Sequence, residues 1–454
     1  MSRRAAAAGQ RRQGGRPQES PCVREPGASA LNTSKTGRGS VPMTSALPKG
    51  ESISARMESV EGHSTGFDYL RILLSTAVLF IHSKTFTLGA DVQTFKSLVD
   101  STVRVGMFSV AQPPIYQPIL WAVVPAFFAL SGFLVSGSLH RSKTTIGFLL
   151  LRVLRIIPAL CVESLLAMLV LGPLVTSFTL AAYFSDPLFR AYPLNIIGDI
   201  QYYLPGVFLN NPVPRVVNLQ LWTIPAEMYC YAILATVLVL QLAHLRRTVP
   251  LVTVATFICL LGMQALGIHA PADWSAGDGR VQIETLVLAF LIGVSLFELK
   301  DKVPLRADLF ALSVVLSYAL LWGGALQYLA MIPIAYATVF VGLSNFRETF
   351  VNRTGDYSYG VYLYGLPVQQ LLVHLFPENR NWLLSFAMAY VLSLVFAALS
   401  WHLVESKVLA KKRIIVEAAE NFLRPLSFRL PWGPAAKPVS APPIATVPKP
   451  ADLS

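Results

Sequence analysis

Ten long apolar runs follow one another along the chain, separated by short polar or Gly- and Pro-rich segments. A run of about 20 apolar residues is long enough for a helix to cross roughly 30 Å of hydrocarbon. The pattern therefore predicts an all-α polytopic membrane protein with about ten transmembrane helices. The runs cover residues 67–88, 117–139, 153–176, 219–241, 249–268, 282–299, 307–323, 325–344, 357–376 and 382–404.

The composition favours the same fold class. Of the 454 residues, 54% are hydrophobic and 14% are charged, and the mean hydropathy is +0.53. Soluble domains carry roughly 25% charged residues, so this chain has too few charges to cover a water-facing surface. The net charge of +12 is spread over tails and short loops. This distribution argues against a nucleic-acid partner and for contact with the headgroups of a lipid bilayer.

Polar segments flank the apolar runs. Residues 1–60 are rich in Gly, Ser, Pro, Ala and Arg and lack apolar periodicity, which predicts a disordered basic tail. Translation from Met57 or Met43 is an alternative, in which case most of this tail is not part of the protein, and the sequence leaves both interpretations open. We expect a transmembrane domain over residues 61–413 and a cytoplasmic Pro-rich tail over residues 414–454.

The loop charges predict an orientation. If the N-terminus lies in the cytoplasm, fifteen Lys and Arg residues fall near the inside ends of the spans and six fall in outside loops. Cytoplasmic loops carry the excess of positive charge, so we expect both termini in the cytoplasm and the protein in a bacterial inner membrane. Two long outside loops, residues 89–116 and 177–218, are rich in Pro and aromatic residues, and we expect them to be partly ordered.

The sequence contains no motif for a bound nucleotide or metal cofactor. It lacks a phosphate-binding P-loop, a dinucleotide-binding glycine pattern, a GxSxG nucleophile elbow and an HExxH zinc motif. The four cysteines form no CxxC pair and three of them lie in apolar runs, which argues against a disulfide framework or a zinc site. We therefore expect no permanently bound cofactor and no metal.

Ionisable residues in the first apolar run are candidates for a functional site, because charges within a span are costly and usually face the bundle interior. The run contains Asp68, Arg71 and His82. Arg71 and His82 are eleven residues apart, which places them on one helix face, roughly 16 Å apart along the axis. On this pattern alone, Arg71 is a site residue or an interfacial anchor, and His82 is a site residue or a neutral core histidine.

The arginine, ten residues and histidine of this run resemble the first-span pattern of the acyltransferase 3 family of membrane acyltransferases. Other segments resemble motifs of that family, in the same order, so that the resemblance covers about residues 67–413. These segments are PAFFALSGFLVSG with Ser131, Gly132 and Phe133; FLLLRVLRIIPAL with Arg152, Arg155 and Pro158; LWTIPAEMYCY with Trp222 and Glu227; GDYSYGVYLYGLPVQQ with Ser358, Tyr359, Tyr362 and Pro367; and SWHLVESKVLAKKR with Glu405. Many members have a histidine at the position of Gly365, so the role of that histidine does not transfer to this chain.

The resemblance implies transfer of an acyl group, commonly acetyl, from cytoplasmic acyl-CoA to a hydroxyl of a carbohydrate, glycolipid or small-molecule acceptor. Arg152 and Arg155 are expected to bind the phosphates of this co-substrate, because guanidinium groups donate paired, charge-assisted hydrogen bonds to phosphate. Ordinary anchoring at the cytoplasmic surface is the alternative. Ser131, Gly132 and Phe133 are expected to contact the acyl-CoA, and close helix packing is the alternative for Ser131 and Gly132.

His82 is the candidate general base, because an imidazole can accept a proton from an alcohol near neutral pH and return it to the thiolate. A relay through an acyl-histidine is the alternative. Arg71 is expected to hold the donor or to stabilise charge at the thioester, and Asp68 to orient Arg71 or to form an interfacial ion pair with it. Glu227 is expected to orient His82, to bind an acceptor hydroxyl or to form a structural pair. Tyr362 is a further candidate.

A proton-coupled transporter or flippase is the rival function, because buried Arg, His and Glu residues also suit such carriers. The two halves of the chain show no internal repeat and no matched pair of Gly- or Pro-broken spans, which argues against this function. Three other ionisable residues in the apolar runs are expected to be structural or interfacial: Glu163, His374 and His402.

Overall fold

The computed structural model describes ten segments of the chain, and helices make up most of them. The segments are residues 47–60, 64–89, 103–105, 108–110, 116–142, 144–240, 245–268, 281–322, 326–349 and 355–423. The helices and strands are α1 Ile53–Ser59, α2 Thr65–Leu88, β1 Val103–Val105, β2 Phe108–Val110, α3 Gln117–Arg141, α4 Thr145–Val175, α5 Leu180–Ser185, α6 Pro187–Ala191, α7 Leu219–Val239, α8 Leu245–Ala265, α9 Ile283–Glu298, α10 Ala307–Trp322, α11 Gln327–Gly342, α12 Ser358–Leu375, α13 Trp382–Ala410 and α14 Lys412–Phe422.

A helix lies at each of the ten apolar runs, which confirms the predicted helical class. Five of these helices, α3, α4, α7, α8 and α13, are long and apolar enough to cross a membrane by length and composition. The helices α10 and α11 are apolar but have only 16 residues each. The protein is therefore a multi-pass helical chain, while the number of ten spans and the cytoplasmic position of both termini stay predictions.

The helices α3 and α9 pack with their backbones almost in contact. A Cβ atom added to Gly132 would lie 2.1 Å from the carbonyl oxygen of Phe290, and one added to Gly293 would lie 2.1 Å from the carbonyl oxygen of Ala129. Small residues allow this approach, which replaces the missing hydrophobic driving force between helices in a membrane by van der Waals contact. The contact holds one side of α3 against α9 and leaves its opposite side for the centre of the bundle.

The connection between α4 and α7 is folded, as expected for residues 177–218. Its short helices surround three fully buried aromatic side chains, Tyr183, Tyr192 and Phe208. The side-chain amide of Asn211 donates hydrogen bonds to the backbone oxygen and to Oε1 of Gln370 in α12, at 2.9 and 2.8 Å. In the other predicted outside loop, the described strands β1 and β2 form an antiparallel hairpin.

The predicted disordered tail, residues 1–60, needs a correction at its end. Residues 47–60 are ordered and contain α1, where Ile53 is fully buried. The Arg56 Nε donates a hydrogen bond to the carbonyl oxygen of Leu343 at 3.0 Å. The sequence pattern missed this segment because a seven-residue helix has too few turns to show apolar periodicity. The residues before it lie outside the described part of the chain.

The predicted domain boundary at residue 413 also moves. The helix α14 continues the ordered chain to residue 423 and packs along α4. At the start of α4, the Thr144 hydroxyl donates a hydrogen bond to the carboxylate of Glu420 in α14. The ordered domain therefore includes the first part of the predicted Pro-rich tail, and residues 424–454 lie outside the described residues.

Candidate functional site

A cavity of about 180 Å³, here called the central cavity, lies between α2, α3, α4, α7 and α12. It combines apolar side chains with several charged and hydroxyl groups. Six of the residues predicted from the sequence line it: Arg71, Ser131, Arg152, Arg155, Glu227 and Tyr362. Residues from five separate helices therefore meet at one place, although they are up to 291 positions apart in the chain.

Two of the cavity arginines share one carboxylate. Arg155 in α4 and Arg71 in α2 both donate to Oδ2 of Asp356, at 2.5 and 3.5 Å. Arg71 also forms an ion pair with Asp68 at 3.2 Å, one turn away on α2. Arg71, Arg155 and Asp356, here called the shared ion pair, are each about one quarter exposed. This ion pair connects the start of α12 to the inner parts of α2 and α4.

The third cavity arginine, Arg152, has a different environment. Its Nη2 donates to the hydroxyl of Ser138 at 2.9 Å. Its Nε is buried and has no hydrogen-bond partner, and among the described residues no carboxylate lies within ion-pair distance of it. Glu227 and Tyr231 are near enough to interact with it electrostatically. Arg152 is therefore a cation with unused hydrogen-bonding capacity at the cavity wall.

Glu227 faces the cavity from α7. The hydroxyl of Tyr231, one turn later on the same helix, donates a hydrogen bond to its carboxylate. Within the described part of the chain Glu227 has no hydrogen bond to His82, so the structure does not support the prediction that it orients this histidine. Its other predicted role, binding an acceptor hydroxyl, stays a prediction.

Tyr362 closes one side of the cavity with an aromatic ring. Its hydroxyl hydrogen-bonds to the hydroxyl of Thr223 at 2.5 Å and donates to the backbone oxygen of Gln220. Its ring meets that of Phe127 edge-on, with 6.3 Å between the centroids. These contacts join α12 to the start of α7 and to α3.

The consecutive residues Ser131, Gly132 and Phe133 of α3 point in three directions, because successive side chains on a helix are turned by 100°. Ser131 faces the central cavity. Gly132 lies against the backbone of α9. Phe133 is buried, stacks on Phe67 at 5.6 Å and meets Phe297 edge-on at 5.4 Å. The structure therefore supports the packing interpretation for Gly132. Phe133 packs in the core and does not line the cavity, which leaves Ser131 as the candidate for ligand contact.

His82 lies outside the lining of the central cavity. On α2 the lining reaches from Arg71 to Val78, one turn before His82. The imidazole is half-buried and meets the ring of Phe86 edge-on, at 6.0 Å between centroids. The physical reason is distance, since the eleven residues from Arg71 to His82 rise about 16 Å along α2, whereas the seven from Arg71 to Val78, where the lining ends, rise about 10 Å.

Two residues at the site were not singled out from the sequence, Asp356 and Tyr231. Candidates were ionisable residues inside the apolar runs, and Asp356 lies just before α12 and outside these runs. Its position in the motif segment GDYSYG, directly before an apolar helix, is the signal that could have identified it. Tyr231 lies four residues after Glu227, at the spacing that brings side chains together on one helix face.

The three ionisable residues expected to be structural or interfacial have local partners. The carboxylate of Glu163 accepts hydrogen bonds from Asn218 Nδ2 at 3.0 Å and from Ser164 at 3.2 Å. The ring of His374 packs near that of Phe208, and His402 hydrogen-bonds to Tyr357 at 3.0 Å. These contacts agree with the structural or interfacial role expected for Glu163, His374 and His402.

Comparison with known proteins adds independent findings. The family model Acyl_transf_3, described as an acyltransferase domain, matches residues 64–402. A protein of Shigella phage Sf6 named O-acetyl transferase is 27% identical over 290 residues, which are 63% of this chain and 84% of the phage protein. No solved structure matches the chain.

Proposed function

The chain belongs to the acyltransferase 3 family and is an O-acyltransferase, and on this premise we propose that it moves an acetyl group from cytoplasmic acetyl-CoA to a hydroxyl of a carbohydrate or glycolipid. The proposed location is the inner membrane of a bacterium. The name of the phage relative supports acetyl as the acyl group. Family membership also favours the enzyme over the rival carrier.

The observation that supports the donor is the presence of three arginines around one cavity in a helical membrane protein. Guanidinium groups pair with phosphates through charge-assisted hydrogen bonds, and coenzyme A carries several phosphate charges. At about 180 Å³ the cavity is smaller than the roughly 300–1,000 Å³ of ordinary ligand pockets. It suits the phosphate groups of the donor, with the acyl-thioester end extending from it toward His82.

The proposed roles follow the surroundings of each side chain. Arg71, Arg152 and Arg155 bind donor phosphates, and Glu227 binds a hydroxyl of the acceptor. His82 takes the proton of the reacting acceptor hydroxyl as the oxygen of this hydroxyl attacks the thioester carbonyl. The carbon–sulfur bond then breaks, and the leaving thiolate receives the proton from the imidazole.

Because His82 lies outside the lining of the central cavity, the mechanism requires a particular place for the reaction. Donor and acceptor must meet beyond Val78, on the side of the cavity where His82 lies. In the alternative relay, the imidazole nitrogen attacks the thioester carbonyl, the carbon–sulfur bond breaks and the CoA thiolate leaves. The acceptor hydroxyl then attacks the acyl-imidazole, takes the acyl group and releases the imidazole, and its proton goes to the thiolate. Trapping an acyl-protein with labelled acetyl-CoA in the absence of acceptor distinguishes the relay from the direct route.

The test is thiol release and label transfer by the purified chain in lipid nanodiscs supplied with acetyl-CoA and an acceptor. The variant His82→Ala is compared with His374→Ala, because His374 is also a half-buried histidine in a helix and has one aromatic ring contact among the described residues. A positioned base contributes about 10²–10⁴-fold, so His82→Ala is expected to lose at least about 100-fold and His374→Ala little. Equal activity of the two variants would remove His82 from the mechanism, and inactivity of the wild type on every acyl-CoA would remove the donor.

A further inference from the structure

Asp356 occupies an unusual position among the carboxylates of the described residues, because it holds side chains from two other helices. Its Oδ2 accepts hydrogen bonds from Arg155 of α4 at 2.5 Å and from Arg71 of α2 at 3.5 Å. Its Oδ1 accepts from the hydroxyl of Ser358 at 2.5 Å and from its backbone N–H at 3.3 Å. The second set of bonds holds the carboxylate against the first turn of α12, so its position is set independently of the arginines.

The carboxylate is held in its ionised form. Burial alone would raise the pKa of Asp356, but the positive charges of Arg155 and Arg71, with the hydrogen bonds from Ser358, lower it well below its usual range. Asp356 therefore contributes a full negative charge beside a cavity that is proposed to bind a polyanion.

We propose that Asp356 is a positioning residue for acyl transfer: it orients Arg71 and Arg155 toward the central cavity and offsets part of their charge, which weakens donor binding and speeds turnover. This inference rests on the proposed acyl-CoA donor. It concerns a residue that touches the two arginines rather than the reacting atoms.

The charge of Asp356 affects donor affinity, and its position affects the rate of transfer. Without the Asp356 charge, the cavity gains one unit of positive charge, and a phosphate near it is bound more strongly. The same change leaves two neighbouring guanidinium groups to repel each other, since among the described residues only Arg71 keeps a second carboxylate within ion-pair distance, that of Asp68. Reacting groups displaced by about 1 Å lose up to about 100-fold in rate, so turnover falls while affinity rises.

The experiment compares Asp356→Asn with the matched control Asp308→Asn in the full chain in lipid nanodiscs. Asp308 also bonds an arginine at 2.5 Å, that of Arg306, but both side chains are more than half exposed and lie away from the cavity. Binding is measured with CoA and turnover with acetyl-CoA. Asp356→Asn is expected to bind CoA roughly fivefold more tightly and to lose roughly tenfold or more in kcat, while Asp308→Asn matches the wild type.

A second variant covers the case in which Asp356→Asn alone is poorly folded. The double variant Arg155→Gln/Asp356→Asn restores the charge balance, and Asp356→Asn should lower kcat by a smaller factor in this background than in the wild type, because Asp356 acts partly through Arg155. Weaker CoA binding by Asp356→Asn, an unchanged kcat, or losses that multiply in the double variant would each overturn the inference. Acyl-CoA consumption by the wild type tests the proposed function separately, so the two failures are distinguishable.

Discussion

The two halves of α2 have different polar surroundings. In the first half, Arg71 lies at the central cavity among charged groups, with Asp68 at 3.2 Å and Asp356 at 3.5 Å. In the second half, the polar contacts near His82 join neutral groups, and Ser83 donates a hydrogen bond to Oε1 of Gln369 at 2.7 Å. One helix therefore connects a charged region to a neutral hydrogen-bonded one.

This difference suits the two substrates proposed for the enzyme. A polyanionic donor is held best by guanidinium groups, whereas a hydroxyl acceptor is neutral and is held by ordinary hydrogen bonds. Under the predicted topology, the charged half of α2 is the cytoplasmic one. We therefore expect variants of the cavity arginines to change donor binding and variants near His82 to change the rate of transfer.

The largest expected effects come from replacing one side chain in each half of α2. His82→Ala is expected to lower kcat about 10²–10⁴-fold, as for a missing general base. Arg71→Ala is expected to raise KM for acetyl-CoA if Arg71 holds the donor, or to lower kcat if it stabilises developing charge. If both serve one transition state, the double variant loses less than the product of the single losses, as steady-state kinetics of the three proteins will show. A fully multiplicative loss would mean that the halves of α2 act independently.

The next test concerns Glu227 on the opposite wall of the cavity. Loss of a charged hydrogen bond costs about 1.5–3 kcal/mol, so Glu227→Gln is expected to lower kcat/KM for the acceptor by roughly 10- to 100-fold. Tyr231→Phe keeps the carboxylate and removes only the hydroxyl bonded to it, so a smaller loss is expected. The measurement varies acceptor at saturating acetyl-CoA. A normal acceptor response in Glu227→Gln would assign this residue a structural role.

Arg152 and Arg155 provide a sharper test at the donor side. Arg155 shares the charge of Asp356, whereas Arg152 has no carboxylate partner among the described residues. Arg152→Gln is therefore expected to weaken CoA binding more than Arg155→Gln does, by roughly tenfold and most strongly at low salt. Arg246→Gln, which breaks a surface ion pair with Asp301, is the control. Equal losses at both cavity positions would show that the ion pair with Asp356 does not divide their roles.

The smallest expected effect concerns the packing behind the cavity wall. A Cβ on Gly132 would meet the Phe290 carbonyl oxygen at 2.1 Å, whereas no atom of the described residues lies within 4 Å of one on Gly262. Gly132→Ala is expected to destabilise the fold by about 1–3 kcal/mol because the α3 and α9 backbones must separate. Gly262→Ala is expected to be neutral or to stabilise its helix by up to about 1 kcal/mol. Thermal unfolding in one detergent compares them, and equal melting temperatures would contradict the close contact.

Much of the site was accessible from the sequence because ionisable residues in apolar runs are few and costly. Arg71, Arg152, Arg155 and Glu227 were chosen on that ground or on their place in a motif, and all four line one cavity. Asp356 was not predicted because it lies outside the apolar runs, although its partners Arg71 and Arg155 lie inside them.

The sequence by itself determined the class of the protein, the ten helical runs and the family motifs, since apolar run length and motif order are properties of the chain alone. Only the tertiary structure decided which of these residues meet. Helical periodicity placed Arg71 and His82 on one face, but whether a face meets a cavity, a helix or lipid depends on neighbours distant in sequence. For the same reason, only the packed bundle shows that Gly132 meets α9 and that a single carboxylate joins Arg71 to Arg155.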